Sequence, residues 1–296
     1  MRFSNTWFAP LLIGALLLAA CGEIDDDSRG LPPGDNNASN NNNNTGLNNN
    51  NNNTGLNNNN TGNDDGVNKG TLLCDDDAPI VFKAIVRDFR KGTGSDCNPD
   101  FNRTESGERA ETGIVKDMLG SDGKPVFNKP NGLTTTTAEN FNQWYNTVPG
   151  INMEYTHQIE LTPDPNNPSV WSFDTNRFFP LGNNDGFGSD PGDRDDGGQV
   201  RNFRFTTEFR MTFKYREGQV FTFRGDDDVF VFIDKRLVID IGGIHSPLEA
   251  SVNLDTLGLV AGQDYDMDIF HAERNPTGSN FRITTNIECI KPVVIN

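Results

Sequence analysis

Two strand-like segments joined by three consecutive carboxylates constrain the fold of this chain more than any other feature. From Phe221 to Asp234 the sequence alternates, is interrupted by Gly225 and by Asp226, Asp227 and Asp228, and then resumes. Alternation with a period of two is typical of β-strands. The stretch therefore predicts two strands that meet at a strongly charged hinge.

The three adjacent carboxylates of this hinge repel one another and require a cation, backbone N–H donors or free solvent. Ca²⁺, a hard cation that takes oxygen ligands, is the simplest compensation for clustered Asp beside Gly. The alternative is a solvated turn in which Gly225 supplies an unusual backbone conformation and the Asp side chains cap nearby amides. The residue types leave both interpretations open.

Composition separates a sparse N-terminal part from an aromatic remainder. Of the 21 Phe residues, 19 lie after residue 80, so the core is expected there, with length for one large or two small domains. The net charge of −17 argues against nucleic acid as a partner. It fits an extracellular protein that meets divalent cations.

The N-terminus has the pattern of an export signal. Arg2 precedes an apolar run, Trp7 to Ala20, that is too short to be a stable membrane span and leads directly into Cys21. This pattern resembles the bacterial lipobox, which implies a signal peptide over residues 1–20 and acylation of Cys21. Because no Asp follows Cys21, the resemblance implies a lipid anchor in the outer membrane, with the protein at the cell surface. An ordinary secretory signal with a chance Cys is the alternative.

Residues 21–70 are expected to form a disordered tether. Between Asn36 and Asn60, 17 of 25 residues are Asn. Such a tract carries too little apolar surface to offset the loss of chain entropy on folding. About 50 flexible residues span about 40 Å, enough to clear the lipid headgroups.

Beyond the tether, residues 71–296 are predicted to form one all-β domain. Many short alternating segments are separated by clusters of Gly, Pro, Asn and Asp, the pattern of an antiparallel β-sandwich or barrel. In the clearest segment, 203–213, we expect Phe203, Phe205, Phe209, Met211 and Phe213 to face the core, with an irregularity near Thr207. Other predicted strands are 80–86, 220–224, 229–234, 237–241, 250–254, 265–271 and 280–287. Short helices are possible at 113–119 and 138–145, and loops are expected at 163–168 and 182–198.

Several motifs of this domain resemble the fibro-slime domain family. The resemblance covers about residues 80 to 288. It rests on a carboxylate cluster, a glycine pair and an Ala-Glu-Arg segment, within the stretches 86–89, 99–101, 113–115, 178–181, 202–208, 225–233, 241–245, 268–274 and 279–282. This family is in turn similar to the protective-antigen-type β-sandwich, which implies a jelly-roll type of sandwich with few short helices.

The resemblance implies a calcium site at the hinge. In lectin-like members of the protective-antigen type, an Asp pair joined by a cis peptide binds Ca²⁺, which chelates sugar hydroxyls; here the pair is Asp226 and Asp227. Two departures stand out. Lys235 replaces the usual Gly of the next turn, and Arg201 and Arg204 occupy positions where relatives often have His, which argues against a metal role there.

Calcium takes six to eight oxygen ligands, so two Asp side chains are insufficient. In the lectin-like sandwiches a loop before a late strand supplies the others, and the corresponding loop here is 273–280. Asn275 and Asn280 are the candidate ligands, and the alternative is a polar loop with Asn in turn conformations. Glu273 and Arg274 are interpreted as a structural ion pair or a backbone clamp.

The remaining polar clusters are assigned no site. His157, His245 and His271 lack metal-ligand spacing. The acidic run 190–196 lacks the spacing of an EF-hand and is interpreted as a solvated loop. Asp264, Asp266 and Asp268 alternate with apolar residues, as expected for the solvent-facing side of a strand.

With Cys21 acylated, three cysteines remain. Cys74 stands just before the first predicted strand and Cys289 just after the last. If those strands are antiparallel neighbours, their ends meet and a Cys74–Cys289 disulfide joins the ends of the domain. Cys97–Cys289 and Cys74–Cys97 are the alternatives.

No nucleophile–base motif of a hydrolase is visible, so we expect no enzyme. The leading hypothesis is a surface-anchored bacterial lipoprotein that binds extracellular polysaccharide or another glycan with calcium, for adhesion or matrix attachment. The second is a structural protein of an extracellular matrix or slime that contacts protein partners. A glycan-active enzyme is the distant third.

Overall fold

The structure is a computed structural model that describes residues 79–102, 109–130, 132–276 and 278–295. The predicted signal peptide, tether, Cys21 and Cys74 lie outside these residues, as do the domain boundaries at 20 and 70. Within the described residues, no helix has the length and hydropathy needed to span a bilayer.

The described residues are almost entirely β-structure, which confirms the predicted all-β antiparallel sandwich with few short helices. The only α-helix in these ranges, α1, is Ala138–Asn142, and 3₁₀ turns occupy Pro99–Phe101 and Leu254–Leu257. The strands are β1 (Ile80–Phe89), β2 (Arg109–Ala110), β3 (Asn152–Asp164), β4 (Asn167–Thr175), β5 (Phe205–Lys214), β6 (Val220–Gly225), β7 (Asp228–Ile233), β8 (Arg236–Ile241), β9 (Gly243–Ile244), β10 (Leu248–Asn253), β11 (Asp264–Glu273), β12 (Phe281–Thr285) and β13 (Ile290–Val293).

The strands form two layers that the long strand β3 connects. One layer runs β10-β6-β12-β4 and the other β1-β5-β11-β7-β8. Residues 152–161 of β3 pair with β1, and residues 162–164 pair with β4. The last strand, β13, lies beside β5 beyond the point where β1 ends its pairing. The hinge that joins β6 to β7 therefore crosses from one layer to the other.

The first hydrophobic core lies between the two layers. Phe205, Phe209, Met211 and Phe213, predicted to face it, belong to this core, because alternate residues of one strand share one face. Phe203, also predicted to face it, is buried but precedes β5 and lies outside this core. The predicted irregularity near Thr207 was wrong, since β5 pairs with β11 without a register shift. Thr207 is buried on the same face as Phe205 and Phe209, so the alternation is continuous.

A second hydrophobic core covers the outer face of the β1-β5-β11-β7-β8 layer. Its residues come from those strands and from the irregular segment between β1 and β3: Phe89, Phe101, Ile114, Val115, Leu119, Phe141, Trp144, Tyr145, Phe230, Phe232, Phe270 and Ala272. Because both faces of the layer are covered, every residue of β7 is buried. The expectation that Asp268 faces solvent was wrong, since it is buried and paired with Arg210.

Two other sequence predictions were wrong, one in the segment between Phe89 and Asn152, which we call the covering segment, and one at the β3–β4 connection. Residues 113–119 are not helical and form isolated bridges, whereas 138–145 contains α1. The predicted loop 163–168 is mostly strand, because β3 and β4 form a hairpin in which Asp164 accepts a bond from the Asn166 backbone N–H at 2.7 Å. The predicted loop 182–198 is confirmed, since it contains no strand or helix.

Asp88 on β1 is expected to make stability depend on pH. Burial raises its pKa to about 6, although Asn202 and the Phe187 backbone N–H donate to it at 2.7 and 2.6 Å. Its stabilising contribution is present below the unfolded pKa and is lost as the pH rises through the folded pKa. Between pH 4 and pH 6.5, wild type should lose about 2 kcal/mol of unfolding free energy relative to Asp88→Asn. Urea unfolding of both proteins across this range measures the difference, and parallel pH profiles would contradict it.

Candidate functional site

The hinge between β6 and β7 places two carboxylates at one end of the sandwich. β6 ends at Gly225 and β7 begins at Asp228, which leaves Asp226 and Asp227 between them, joined by a cis peptide bond. A Cβ atom on Gly225 would lie 2.8 Å from a ring carbon of Phe223. Glycine is therefore needed here for space and not, as interpreted from the sequence, for an unusual backbone conformation.

Asp228 belongs to the framework of the hinge. It accepts a bond from the Gly243 backbone N–H at 2.6 Å and one from Arg274 Nε at 2.7 Å. Both side chains of the Asp228–Arg274 pair are completely buried. The guanidinium thus neutralises one of the three hinge carboxylates, and Asp228 has no free access to a ligand.

Arg274 also connects the hinge to the covering segment between β1 and β3. Its Nη1 donates to the carbonyl oxygens of Thr134 and Asp100 at 2.6 and 3.3 Å, and its guanidinium lies 4.6 Å from the Trp144 ring centre. Arg274 is therefore a structural clamp, as predicted, but its partner is Asp228 and not Glu273.

Asp226 and Asp227 are held by N–H groups. The backbone N–H groups of His245 and Arg274 donate to the two Asp227 oxygens at 3.0 and 3.1 Å. The Asn280 backbone N–H donates to one Asp226 oxygen, and its side-chain Nδ2 donates to the other at 2.9 Å. Each carboxylate oxygen retains a lone pair for a further partner.

Burial disfavours the charged form of both carboxylates. It is the largest cause that raises the pKa of Asp226, against the bonds from Asn280. It raises the pKa of Asp227 well above its usual range, and the Arg274 guanidinium opposes this effect. A bound cation would supply the charge compensation that these side chains lack.

Both carboxylates line one open polar cavity, which we call the bowl. Three segments form its walls: the loop before β5, the loop after β9, and the loop between β11 and β12. The four predicted ligands, Asp226, Asp227, Asn275 and Asn280, all line the bowl, together with Asp196, Ile244, His245, Ser246, Pro247, Glu273, Pro276 and Gly278. The structure therefore brings together residues predicted from two separate parts of the sequence.

The lining of the bowl is acidic. It contains four carboxylates, and among the described residues no Lys, Arg, Phe, Tyr or Trp side chain lines it. The described residues include no group of three His, Cys, Asp or Glu arranged as a ready-made metal site. Because Ca²⁺ accepts amide and carbonyl oxygens beside carboxylates, an Asp pair with neighbouring Asn side chains fits it chemically.

Three titratable residues of the bowl were not predicted as site residues. His245 acts through its backbone N–H, since its ring nitrogens lie 2.9 and 3.4 Å from the carbonyl oxygens of Ser246 and Ile241. Glu273 was interpreted as part of an ion pair, and Asp196 as part of a solvated loop. The Ala-Glu-Arg segment, which contains Glu273, and the stretch 241–245, which ends at His245, gave a signal in the sequence as motifs without an assigned ligand.

The acidic loop 190–196 was predicted to be solvated, but two of its carboxylates are buried in ion pairs. Asp193 and Asp195 are buried, and they pair with Arg204 and with Arg201, respectively. Both arginines therefore have structural roles, consistent with the absence of a metal role predicted for these positions. His271, also outside the lining of the bowl, is buried with Nε2 3.0 Å from the Asp226 carbonyl oxygen.

The two described cysteines lie at opposite ends of β5. The Cys97 sulfur is 3.9 Å from the Lys91 carbonyl oxygen, near the end of β1, which pairs with β5 at Phe205. Cys289 precedes β13, which pairs with β5 at Phe213. Eight strand residues span about 26 Å, whereas bridged Cα atoms lie within about 7 Å. Cys97 and Cys289 are therefore not bonded to each other.

An antiparallel sandwich that presents an Asp pair on the hinge between its layers is characteristic of the protective-antigen type predicted from the sequence. Residues 181–292 match the model of the PA14 domain. The matched range contains every residue that lines the bowl. The protective-antigen resemblance is thus confirmed, while membership of the fibro-slime family stays a prediction.

The chain is also similar to proteins of Dictyostelium discoideum. It is 40% identical to Protein psiQ over 221 residues, which cover 72% of this chain and 22% of psiQ. It is 41% identical to Protein psiR over 219 residues, which cover 70% of this chain and 21% of psiR. The chain thus spans about a fifth of the length of each of these two relatives.

A solved structure, the GH31 α-xylosidase from Xanthomonas citri, aligns with a TM-score of 0.21 and 11% identity. The alignment covers 58% of this chain and 28% of that chain. Similarity at this level carries no conclusion about function.

Proposed function

We propose that this protein is a non-enzymatic surface module that binds an extracellular glycan through Ca²⁺ held in the bowl. In this proposal, Asp226 and Asp227 hold the ion, and the oxygens of Asn275 and Asn280 add ligands. The ion, when bound, offers coordination positions to neighbouring hydroxyl groups of a sugar. PA14 domains are often carbohydrate-binding or adhesion-like, which supports the proposal.

The observation that carries the proposal is that the three hinge carboxylates have different partners. Arg274 neutralises Asp228 inside the protein. Asp226 and Asp227 form no ion pair with a Lys or Arg side chain in the described ranges, and both open onto the bowl. Two carboxylates in a cleft without a protein cation are a suitable anchor for a divalent ion.

The chain's own residues would also orient a bound glycan. The amide groups that donate to Asp227 keep its carboxylate in place, and Asn280 does the same for Asp226. Since no Phe, Tyr or Trp side chain among the described residues lines the bowl, recognition would depend on polar groups and the ion rather than on stacking.

A glycan array probed with the protein in calcium and in excess chelator tests this function. We expect retention on one class of glycan in calcium and its loss in chelator. Calorimetry with Ca²⁺ alone provides the independent measurement. If wild type binds no Ca²⁺ at millimolar concentration, the proposal fails, and the structural matrix protein that contacts protein partners takes its place. Turnover of a polysaccharide panel would instead favour the glycan-active enzyme.

We further propose that the bowl is presented at the cell surface by a lipid anchor on Cys21. Replacement of this residue, Cys21→Ser, should abolish acylation because the thioether site is lost. Metabolic labelling with a fatty-acid probe, followed by membrane fractionation, measures the effect. Cys97→Ser is the matched control and should retain its label. Label on the Cys21 variant would contradict the anchor.

The pairing of Cys74 with Cys289 stays a prediction, and the separation of Cys97 from Cys289 removes one alternative. The bond would close nearly the whole domain, so Cys289→Ser should lower the unfolding free energy by about 2–5 kcal/mol. Urea unfolding with and without reductant measures the loss. Peptide mapping under non-reducing conditions checks the pairing, and a Cys74–Cys97 peptide would overturn it.

A further inference from the structure

Arg224 and Arg282 lie side by side on the outer face of the β10-β6-β12-β4 layer. They are direct partners in the antiparallel register of β6 and β12. Phe223 and Phe281, their neighbours in the chain, belong to the first core, so both arginines point the other way, toward solvent. Like charges directly opposite each other destabilise a sheet, so each guanidinium is expected to have a negative partner.

An acidic residue lies on each side of this arginine pair. Asp174 is opposite Arg282, and Glu249 is opposite Arg224. The ion pairs do not follow this register, because Glu249 bonds to Arg282 and not to Arg224. Among the described residues, Arg224 therefore forms no ion pair, although a carboxylate lies directly opposite it on the neighbouring strand.

The Arg224 guanidinium contacts the wall of the bowl instead. Its Nη1 donates to the side-chain oxygen of Asn280, which lines the bowl, at 3.4 Å. This bond is long, and no other N–H group of the guanidinium has a hydrogen-bond partner within the part of the chain that the structure describes. Since Arg224 is two residues before Asp226, the end of β6 places an incompletely paired cation beside the proposed calcium site.

We propose that Arg224 determines which glycans the bowl accepts, by binding an acidic group of the glycan, a carboxylate or a sulfate, next to the ion. This inference rests on the proposed calcium-dependent glycan binding and adds the chemical class of the ligand. The planar guanidinium presents pairs of N–H donors that match two oxygens of such a group. No Lys or Arg among the described residues lines the bowl itself, so this positive charge comes from a residue beside it.

The acidic lining of the bowl opposes an acidic ligand only weakly once the ion is bound. The two charges of Ca²⁺ equal those of Asp226 and Asp227, so the ion and this pair together carry no net charge. Of the other two carboxylates, Glu273 is buried in the wall, whereas Asp196 is exposed on the loop before β5. Solvent and salt screen the charge of such an exposed group.

The test measures the retention, in calcium, of matched sugars that differ in one acidic group. The probes on the array are galactose against sulfated galactose, galactose against galacturonic acid, and glucose against glucuronic acid. We expect wild type to retain the acidic member of at least one pair about tenfold more strongly, which is the typical effect of a hydrogen bond between charged groups. The sulfated pair and the two uronic acid pairs distinguish a sulfate from a carboxylate.

Two variants and a control assign this preference to Arg224. Arg224→Met should remove the preference, and it should not weaken Ca²⁺ in calorimetry because it removes a nearby positive charge. Arg224→Lys should keep part of the preference, since lysine keeps the charge but loses the planar pairs of donors. The matched control is Arg216→Met, which removes an exposed arginine paired with Glu288 near the other end of β6 and should keep the full preference.

The outcomes distinguish this inference from the proposed function. If wild type binds Ca²⁺ and retains glycans without preference for the acidic members, the role of Arg224 is overturned and calcium-dependent glycan binding stands. The same conclusion follows if Arg224→Met keeps the preference. If wild type binds no Ca²⁺ or retains no glycan, the proposed function itself fails, and this inference fails with it.

A second measurement does not depend on the folding of any variant. In a crystal structure of wild type with Ca²⁺ and the retained acidic sugar, an oxygen of the acidic group should lie about 2.7–3.2 Å from a guanidinium nitrogen of Arg224. An acidic group bound away from Arg224 would overturn the inference.

Discussion

Replacement of the buried arginine, Arg274→Met, is expected to lower the unfolding free energy by about 3–5 kcal/mol. Methionine keeps the length of the apolar stem but leaves Asp228 charged, buried and without its cation. It also removes the two bonds to the Asp100 and Thr134 carbonyl groups, which join the hinge to the covering segment. Urea unfolding followed by circular dichroism measures the loss.

Two further variants separate the buried charge from general effects of mutation. Arg282→Met removes an exposed ion pair with Glu249 and should cost no more than about 1 kcal/mol. The double variant Arg274→Met with Asp228→Asn should recover a large part of the loss, because no lone buried charge remains. Equal stability of Arg274→Met and wild type would show that the clamp contributes nothing.

Calcium at a hundred times its dissociation constant is expected to raise the melting temperature of wild type by about 5–10 °C, and Asp227→Ala should abolish this increase. A ligand that binds only the folded state adds about 2.7 kcal/mol under these conditions, and 1 kcal/mol corresponds to about 2–4 °C for a domain of this size. Asp227→Ala should also abolish glycan retention, while its β-sheet circular dichroism stays unchanged.

The control for this experiment is Asp174→Ala, which removes an exposed carboxylate on β4, outside the bowl. It should keep the full calcium response. Calorimetry and thermal unfolding, each with calcium and with chelator, provide the readings. A calcium response that persists in Asp227→Ala would place the ion elsewhere in the molecule.

The hinge thus contains a structural part and a part that faces the bowl. Asp228 and Arg274 hold β7 and the covering segment together, whereas Asp226 and Asp227 face the bowl. The first variant should therefore reduce stability with or without calcium. The second should remove the part of the stability that depends on calcium, and it should also cost some stability without calcium because two backbone N–H groups lose their acceptor.

The Asp pair and the two Asn residues of the bowl were predictable from the sequence, on the family resemblance. The separate role of Asp228 was not, because three adjacent Asp look equivalent until their neighbours are known. Arg274 reaches Thr134 and Asp100, which are 140 and 174 residues away in the chain. No spacing rule for a strand or a turn relates residues at such distances.

Local pattern predicted eight of the thirteen described β-strands, since alternation in a strand reports which side chains share a face, but it missed β2, β3, β4, β9 and β13. It predicted the buried face of β5 correctly, and it gave the antiparallel sandwich through the number and length of its short segments. Alternation does not report what covers the opposite face. That was decided by the packing of the described residues between β1 and β3 on the outer layer, which buried Asp268 and produced the second core. Burial of Glu273 in the bowl likewise depends on the meeting of three loops, and only the tertiary structure brings them together.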